Sequence, residues 1–159
     1  MRRKEREVLS KEWMLDVLKE GNYLELALCG IDGQPYVLPM NYGIGEGYLV
    51  LHGANEGHKI DLLKANSKVA FNVTVGAEII RHPAIPSNFS CKFRSVSGLG
   101  RVRFLEDVAE KKAALALLMK HYDGPTEPMP EAMLQKLCVM LLEVTEMTGK
   151  VNGYDKPAK

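Results

Sequence analysis

The tightest constraint on the fold is the spacing of three short apolar segments in the first third of the chain. The sequences YLELALCG (residues 23–30), PYVLPMNYGI (residues 35–44) and YLVLHG (residues 48–53) are typical of β-strands, and only a few residues separate them. Asp32-Gly33 and Gly45-Glu46-Gly47 supply turn residues for two hairpins. Because parallel strands need a crossover of a dozen residues or more, these segments predict an antiparallel meander.

Four helices are predicted from capping residues and apolar periodicity. The first runs from a Ser10 cap to Gly21, which we expect to adopt the left-handed conformation that glycine often supplies after a helix. The longest begins at a capping box formed by Asp107 and Glu110 and ends at Gly124. Shorter helices are predicted over residues 59–65 and from about residue 131.

The other β segments are longer. Strands are predicted at three places: residues 68–75, 91–106 and 138–147. Gly98 and Gly100 indicate a bulge, a bend or a close approach, and residues 76–90, which contain two prolines and no periodicity, predict a long functional or mobile loop. Some six strands with interspersed helices predict a mainly β fold, a closed or nearly closed antiparallel barrel with flanking helices. One domain is expected over residues 1–159, with a polar tail from about residue 151.

Charge and cysteine usage narrow the class of function. The formal net charge of +1 gives no broad attraction to nucleic acid or to an anionic membrane, so neither partner is expected. No apolar segment has the character of a signal peptide or a membrane span. Cys29, Cys91 and Cys138 are far apart and form no CxxC pair, which favours a reducing compartment and predicts a cytoplasmic protein.

The junction between the third strand and the second helix concentrates groups that bind anions. Gly57, His58 and Lys59 stand where the helix begins, so free backbone N–H groups, the positive end of the helix dipole, an imidazole and an ammonium converge. Such a junction suits a phosphate or a carboxylate, and it also suits an ordinary capped helix start on the surface. His52 and His58 alone are too few for a zinc site, so no metal site is predicted.

Two further segments leave a choice between a ligand contact and plain surface. Pro39, in mid-strand, removes a ladder donor and marks either a simple edge strand or a break where backbone groups are free for another partner. Arg94, Ser95, Arg101 and Arg103 lie at near-alternating positions of one strand. They indicate either a solvated face or contact with an anionic ligand or a partner subunit.

Four motifs stand in a fixed order: PYVLPMNYG, LHGANEGHKIDLL, FRSVSGLGRVRFLED and EVTEMTGK. Together, and with these separations, they resemble the FMN-binding split-barrel superfamily, which includes the pyridoxamine 5′-phosphate oxidases. Within it, the chain resembles the pyridoxamine-phosphate-oxidase-related branch called nitroimidazole-resistance proteins. The resemblance extends over residues 3–150.

The resemblance implies a six-stranded antiparallel split barrel that works as a homodimer, with one FMN per subunit at the interface. By analogy, the segment around Pro39 borders the isoalloxazine, His52 lines the slot and Lys59 holds the phosphate. The implied cofactor-binding residues are Pro39, Met40, Asn41, Tyr42, His52, Gly53, Ala54, Gly57, His58, Lys59, Arg94, Ser95, Val96, Thr148, Gly149 and Lys150.

The activity implied by the resemblance is that of an FMN-dependent oxidoreductase. It would pass electrons from a reduced small-molecule donor through the flavin to a small organic acceptor, for example a nitro compound. Since the flavin performs this chemistry, no catalytic residue is assigned. The alternative is a haem- or flavin-binding module without turnover, in which His52 or His58 ligates iron. Relatives often carry two consecutive basic residues after the motif glycine. Here the first of them is His58, whose charge varies near neutral pH, so phosphate binding is expected to weaken as pH rises.

Overall fold

A computed structural model describes residues 3–156; residues 1–2 and 157–159, the latter belonging to the predicted polar tail, lie outside the described part. No helix of the described part is long and apolar enough to cross a membrane. The helices of this part are α1 (Lys11–Glu20), α2 (His58–Ala65), α3 (Val108–His121) and α4 (Glu131–Lys136), with 3-10 turns at Lys4–Arg6 and Pro86–Asn88. The strands are β1 (Glu7–Val8), β2 (Leu24–Cys29), β3 (Pro35–Met40), β4 (Gly43–Ile44), β5 (Tyr48–Gly53), β6 (Lys68–Ile80), β7 (Ser90–Leu105) and β8 (Cys138–Asn152).

All these strands belong to one antiparallel sheet with the order β3-β2-β6-β7-β8-β5-β4, and β1 pairs with β8. Within residues 3–156 no ladder joins the end strands β3 and β4, although only Asn41 and Tyr42 separate them in the chain. We call this gap the seam: one side is the unpaired edge of β3, and the other is residues 51–53 of β5, beyond the part that β4 covers. The prediction of a mainly β, antiparallel split barrel is confirmed, with eight strands where six were expected.

The predicted meander is wrong at its centre, because β3 forms no ladder with β5. The two hairpins do form, and their turns lie at Asp32-Gly33 and between Gly45 and Tyr48. Tyr42 causes the break. Its ring is fully buried, and its backbone N–H donates to the Tyr122 hydroxyl at 3.0 Å rather than to a neighbouring strand. The chain therefore crosses from one end of the sheet to the other at this point.

β5 and β8 are buried on both faces because apolar clusters lie on opposite sides of the sheet. Met140 and Leu142 of β8 face the cluster inside the barrel, whereas Val139 and Leu141 face a second cluster beneath α3 and α4. β5 and the first five residues of β8 are consequently apolar at nearly every position, as strands covered on two sides are, whereas β8 is polar and more exposed from Glu143 onward. Among the described residues neither cluster covers the outer face of β3, where Val37 is 61% exposed.

Two predicted boundaries differ from the structure. β6 continues to Ile80 past a bulge at Gly76, so the long loop predicted at residues 76–90 shrinks to residues 81–89. The extension was hidden because its side chains are exposed on both faces and show no alternation. β8 continues to Asn152, beyond its predicted end at Met147 and into the predicted tail, and pairs with the start of β7. Of the alternatives predicted for Gly98 and Gly100, close approach is confirmed, because a Cβ on Gly98 would lie 2.4 Å from the Phe71 ring and one on Gly100 2.4 Å from the Glu143 carbonyl oxygen. The register shift opposite them leaves Thr145 of β8 unpaired, so the bulge is in β8 and not in β7.

The helix caps are confirmed, with one correction. The Ser10 side chain accepts a hydrogen bond from the Trp13 N–H, and Asp107 accepts one from the Glu110 N–H. Gly21 does not adopt the left-handed conformation expected of it, since its φ is −73°. A glycine is needed there because a Cβ would lie 2.4 Å from Cγ1 of Val73, so the end of α1 packs directly against the sheet.

Candidate functional site

Lys59 places a cation at the end of the seam. It lies in the first turn of α2, and its side chain reaches back over β5, where a Cβ on Gly53 would be 2.6 Å from Nζ. Glycine at position 53 thus leaves the space that the ammonium fills. No carboxylate of residues 3–156 lies within ion-pair distance of Lys59. The positive charge is therefore free to attract an anion.

The start of α2 adds backbone donors to this charge. Gly57 is the N-cap residue, with φ +107°, a conformation that residues with a Cβ adopt only under strain. It has no side chain to accept from the first N–H groups of the helix, and no other side-chain cap is present. Unpaired N–H groups and the positive end of a helix favour a negatively charged ligand. The helix thus begins after Gly57 with Lys59 in its first turn, while the joint binding of an anion by Gly57, His58 and Lys59 stays a prediction.

The two histidines of the motif have different surroundings. His52 is half-buried on β5, and its pKa is lowered by burial and by the neighbouring Lys59 ammonium, so its imidazole is neutral at pH 7. It forms no hydrogen bond within the described part of the chain, which leaves both ring nitrogens available to a ligand. His58 packs edge-on against Tyr36 of β3, with ring centroids 5.0 Å apart. This contact packs the start of α2 against the β3 side of the seam.

The predicted ring-binding segment alternates between the surface and the core. Pro39 and Asn41 are exposed, whereas Met40 is buried inside the barrel. Tyr42 has no exposed surface, and its hydroxyl donates to the carbonyl oxygen of Leu18 at 2.5 Å. Burial strongly raises the pKa of the Tyr42 phenol. Tyr42 therefore anchors this segment to the core. The groups that face solvent are Pro39, Asn41 and the unpaired backbone edge of β3.

The remaining predicted residues form a second group, which we call the strand-pair group: Arg94, Ser95, Val96, Thr148, Gly149 and Lys150. Ser95 pairs with Lys150 and Val96 with Gly149 where β7 and β8 run side by side. Gly149 lies against the ring of Trp13 from α1. The guanidinium of Arg94 is already engaged, since Nη2 is 2.7 Å from Oε1 of Glu20.

The strand-pair group and the seam do not meet within one chain. Gly53, at the seam, pairs with Cys138 at the start of β8, whereas Ser95 pairs with Lys150 near its end. Twelve residues of β8 separate these positions, which is about 40 Å of extended strand. Across the sheet, β2 and β6 lie between β3 and β7. The structure thus separates Gly53 and Lys59 from Ser95 and Lys150. Tyr42 lies nearer to the strand-pair group, because its hydroxyl contacts the Gly21 carbonyl oxygen and the adjacent Glu20 is paired with Arg94.

Three tyrosines near these groups were missed by the sequence analysis. Tyr36 touches His58, as described above, and it lies inside the motif PYVLPMNYG, which was the only available signal. Tyr122 accepts from the Tyr42 N–H and donates to the Asn22 carbonyl oxygen at 2.9 Å, a link across 80 and 100 residues that no local pattern reveals. Tyr154 lies in the predicted tail, yet its ring stacks under the Arg94 guanidinium at 5.1 Å.

Comparisons with known proteins agree with this architecture. Residues 10–151 match the sequence model of a family described as pyridoxamine 5′-phosphate oxidase, which confirms the resemblance. A candidate 5-nitroimidazole antibiotic resistance protein from Bacteroides thetaiotaomicron is similar in structure, with 28% identity and a TM-score of 0.82 over 91% of this chain and 86% of that one. A FAD-binding protein from Mesorhizobium loti has 26% identity and a TM-score of 0.64 over 91% and 96%.

A more distant likeness concerns the fold alone. The FAD and haem binding protein from Mycobacterium smegmatis has 21% identity and a TM-score of 0.82, over 96% of this chain and 77% of that one. No curated protein matches the sequence significantly.

Proposed function

Because the chain belongs to the pyridoxamine 5′-phosphate oxidase family, we propose that it is a flavoprotein that binds FMN at the seam. The observation that carries this proposal is the Lys59 ammonium, which has no carboxylate partner in residues 3–156 and lies over Gly53 beside an uncapped helix start. A phosphate ester matches that combination of charge and donors. The FMN-binding unit is the whole chain, residues 1–159, acting as one domain in the cytoplasm.

The residues of the seam suit both ends of the cofactor. Lys59, His58 and the first N–H groups of α2 bind the phosphate. The unpaired edge of β3 beside Pro39 and Asn41 offers backbone donors and acceptors to the polar edge of the ring, and His52 contributes a neutral imidazole. The FAD-binding relative from Mesorhizobium loti supports a flavin as the ligand.

The separation of the strand-pair group supports a homodimer. A second chain, placed with its β7–β8 end against the seam, would bring its own Ser95, Thr148 and Lys150 to the same cofactor. The outer face of the sheet offers a surface for such pairing, because one row across four strands is apolar. That row consists of Val37, Ala27, Ala70 and Leu99, of which Val37 and Leu99 are 61% and 48% exposed.

We propose further that the flavoprotein is an oxidoreductase. The bound FMN supplies the electron-transfer chemistry, so the chain needs only to hold the ring, hydrogen-bond its polar edge and leave one face open. The electron donor is a reduced small molecule and the acceptor a small organic compound. The similarity to a candidate 5-nitroimidazole resistance protein favours a nitro compound as acceptor.

The test is a titration of the purified protein with FMN and with riboflavin, followed by visible absorption and by thermal unfolding. We expect FMN to bind more tightly than riboflavin, since only FMN carries the phosphate. FMN at about a hundred times its Kd should add about 2.7 kcal/mol to the free energy of unfolding. A protein that neither binds FMN nor gains stability from it would refute the proposal.

One observation favours a second candidate, a haem- or flavin-binding module without turnover. His52 is neutral, half-buried and free of hydrogen bonds within the described residues, so a ring nitrogen could ligate iron. This candidate predicts that the protein binds haem with a Soret band that is lost in His52→Ala and kept in His82→Ala. FMN bands without any haem binding would exclude the haem form.

A further inference from the structure

An exposed hairpin extends from the sheet beside the strand-pair group. We call residues 78–92 the arm: β6 and β7 pair from Glu78 with Lys92 to Ile80 with Ser90, and residues 81–89 close the tip. Except for His82, every residue from 76 to 90 is exposed. The arm is thus an ordered ladder that makes little contact with the body of the molecule.

The arm carries apolar side chains that the fold does not bury. Ile79, Ile80, Ile85 and Phe89 are 53%, 39%, 46% and 51% exposed. Exposed apolar side chains that cluster on one element are a common mark of a contact surface. Within residues 3–156 these side chains stay about half exposed, and they supply an apolar surface that a partner can cover.

The tip and the base of the arm are both held in place. At the tip, Nδ1 of His82 accepts from the N–H groups of Ile85 at 3.0 Å and Ala84 at 3.3 Å. At the base, the Tyr154 hydroxyl donates to the Gly76 carbonyl oxygen at 3.0 Å. The Lys92 ammonium lies 4.1 Å from the centroid of the Tyr154 ring. The direction of the arm is therefore fixed before any partner binds, which lowers the entropy lost on docking.

We propose that the arm of one protomer docks over the seam of a second copy of this chain, where Ile85 and Phe89 form one wall of the acceptor pocket. The inference rests on the proposed FMN-binding dimer and specifies the partner's contribution to it. The arm continues directly from Arg94 and Ser95, so a dimer that brings the strand-pair group to the partner's seam carries the arm there as well. The arm excludes water from the flavin and favours small, apolar acceptors over large or charged ones.

The test compares how fast dithionite reduces the bound FMN in dimers with altered arms. In the double variant Ile85→Ser/Phe89→Ser the rate should rise severalfold, at saturating FMN and at concentrations where sedimentation shows a dimer. The matched control is Ile31→Ser, which removes an apolar side chain that is 87% exposed at the tip of the β2–β3 hairpin. Its rate should equal that of the unaltered protein. Tyr154→Phe removes the hydrogen bond at the base of the arm and leaves Ile85 and Phe89 intact, so it should raise the reduction rate by less than the double variant does.

Mixed dimers show which of the two chains supplies the arm that shields the FMN. FMN is added here at a concentration that fills an intact seam but leaves a Lys59→Ala seam empty, so each mixed dimer holds one FMN. When the double arm variant has the intact seam and its Lys59→Ala partner has a normal arm, that FMN should be reduced slowly. When the protomer with the intact seam has the normal arm and its Lys59→Ala partner has the altered arm, reduction should be fast. The reverse result, or equal rates in both dimers, would overturn the proposal. If the unaltered protein binds no FMN, the proposed flavoprotein function is refuted. If the protein forms an FMN-loaded dimer but the arm variants leave the reduction rate unchanged, only the proposed role of the arm is refuted.

Discussion

β8 and β3 belong to the same sheet but have opposite surroundings. The first five residues of β8 are buried on both faces of the sheet, and Val139 and Leu142 there have no exposed surface. β3 has one unpaired edge, its Val37 is 61% exposed, and the nearby Lys59 ammonium lacks a carboxylate partner among residues 3–156. The side chains at the start of β8 thus stabilise the fold, whereas the Lys59 ammonium and the outward-facing groups of β3 are not required by it. A ligand can use them without competing with the core.

The largest effect is expected in the buried region. Leu142→Ala should lower the free energy of unfolding by about 2–5 kcal/mol, because it leaves a cavity in the barrel core. Denaturation in urea measures this loss. The protein that remains folded should bind FMN almost normally. A loss of FMN binding without a loss of stability would contradict the assignment of β8 to the core and of the seam to the ligand.

Lys59→Ala tests the other side of the comparison. Loss of one charge-assisted hydrogen bond to the phosphate should weaken FMN binding by about 1.5–3 kcal/mol, or roughly 10- to 150-fold. Riboflavin binding and the free energy of unfolding should hardly change. Lys64→Ala, on the same helix, is the matched control and should leave both ligands unaffected. Equal losses for FMN and riboflavin would contradict the assignment of Lys59 to the phosphate.

Tyr122→Phe tests the link between the regions, since the hydroxyl at the end of α3 holds the backbone of Tyr42 beside the seam. Its removal leaves a buried N–H unpaired and should cost about 1–3 kcal/mol of stability. The FMN affinity should also fall, although by less than in Lys59→Ala. Tyr23→Phe alters a tyrosine that is 51% exposed and serves as control. Unchanged values for both stability and affinity would show that Tyr122 does not support the seam.

The smallest effect concerns pH. Because the pKa of His52 is lowered in the folded protein, the unfolded chain takes up the proton first as pH falls below about 6.5. The contribution of His52 to stability is therefore present above that pH and is lost as the pH falls towards 5. Denaturation curves between pH 7 and pH 5 should show a shallower decline in His52→Gln than in the unaltered protein. An identical decline would show that His52 is not desolvated as described.

Features that depend on neighbours in the chain were predictable from sequence, and long-range features were not. The Ser10 and Asp107 caps and the hairpin at Asp32-Gly33 involve residues a few positions apart, and all of them form. The role of Tyr42 depends on Tyr122, 80 residues away, so the break after β3 could not be foreseen.

The same distinction applies to the candidate site. Gly57, His58 and Lys59 are adjacent in sequence, and the helix begins at this point, within one residue of the predicted start. The distance between Gly53 and Ser95 is set by the register of β8 against two strands, and register is a property of the whole sheet. The resemblance implied a cofactor at a dimer interface but could not show which of the sixteen residues lie near one another within one chain. The arm was likewise not predicted as a β-hairpin, because its residues are exposed on both faces and show no alternation of apolar and polar residues.

The most direct test of the account is sedimentation velocity of the FMN-loaded protein over a dilution series, recorded at the protein and the flavin absorption bands. If each FMN is held between the seam of one chain and the strand-pair group of another, flavin should sediment with the dimer and be released as the dimer dissociates. A monomer that carries tightly bound FMN would contradict the account.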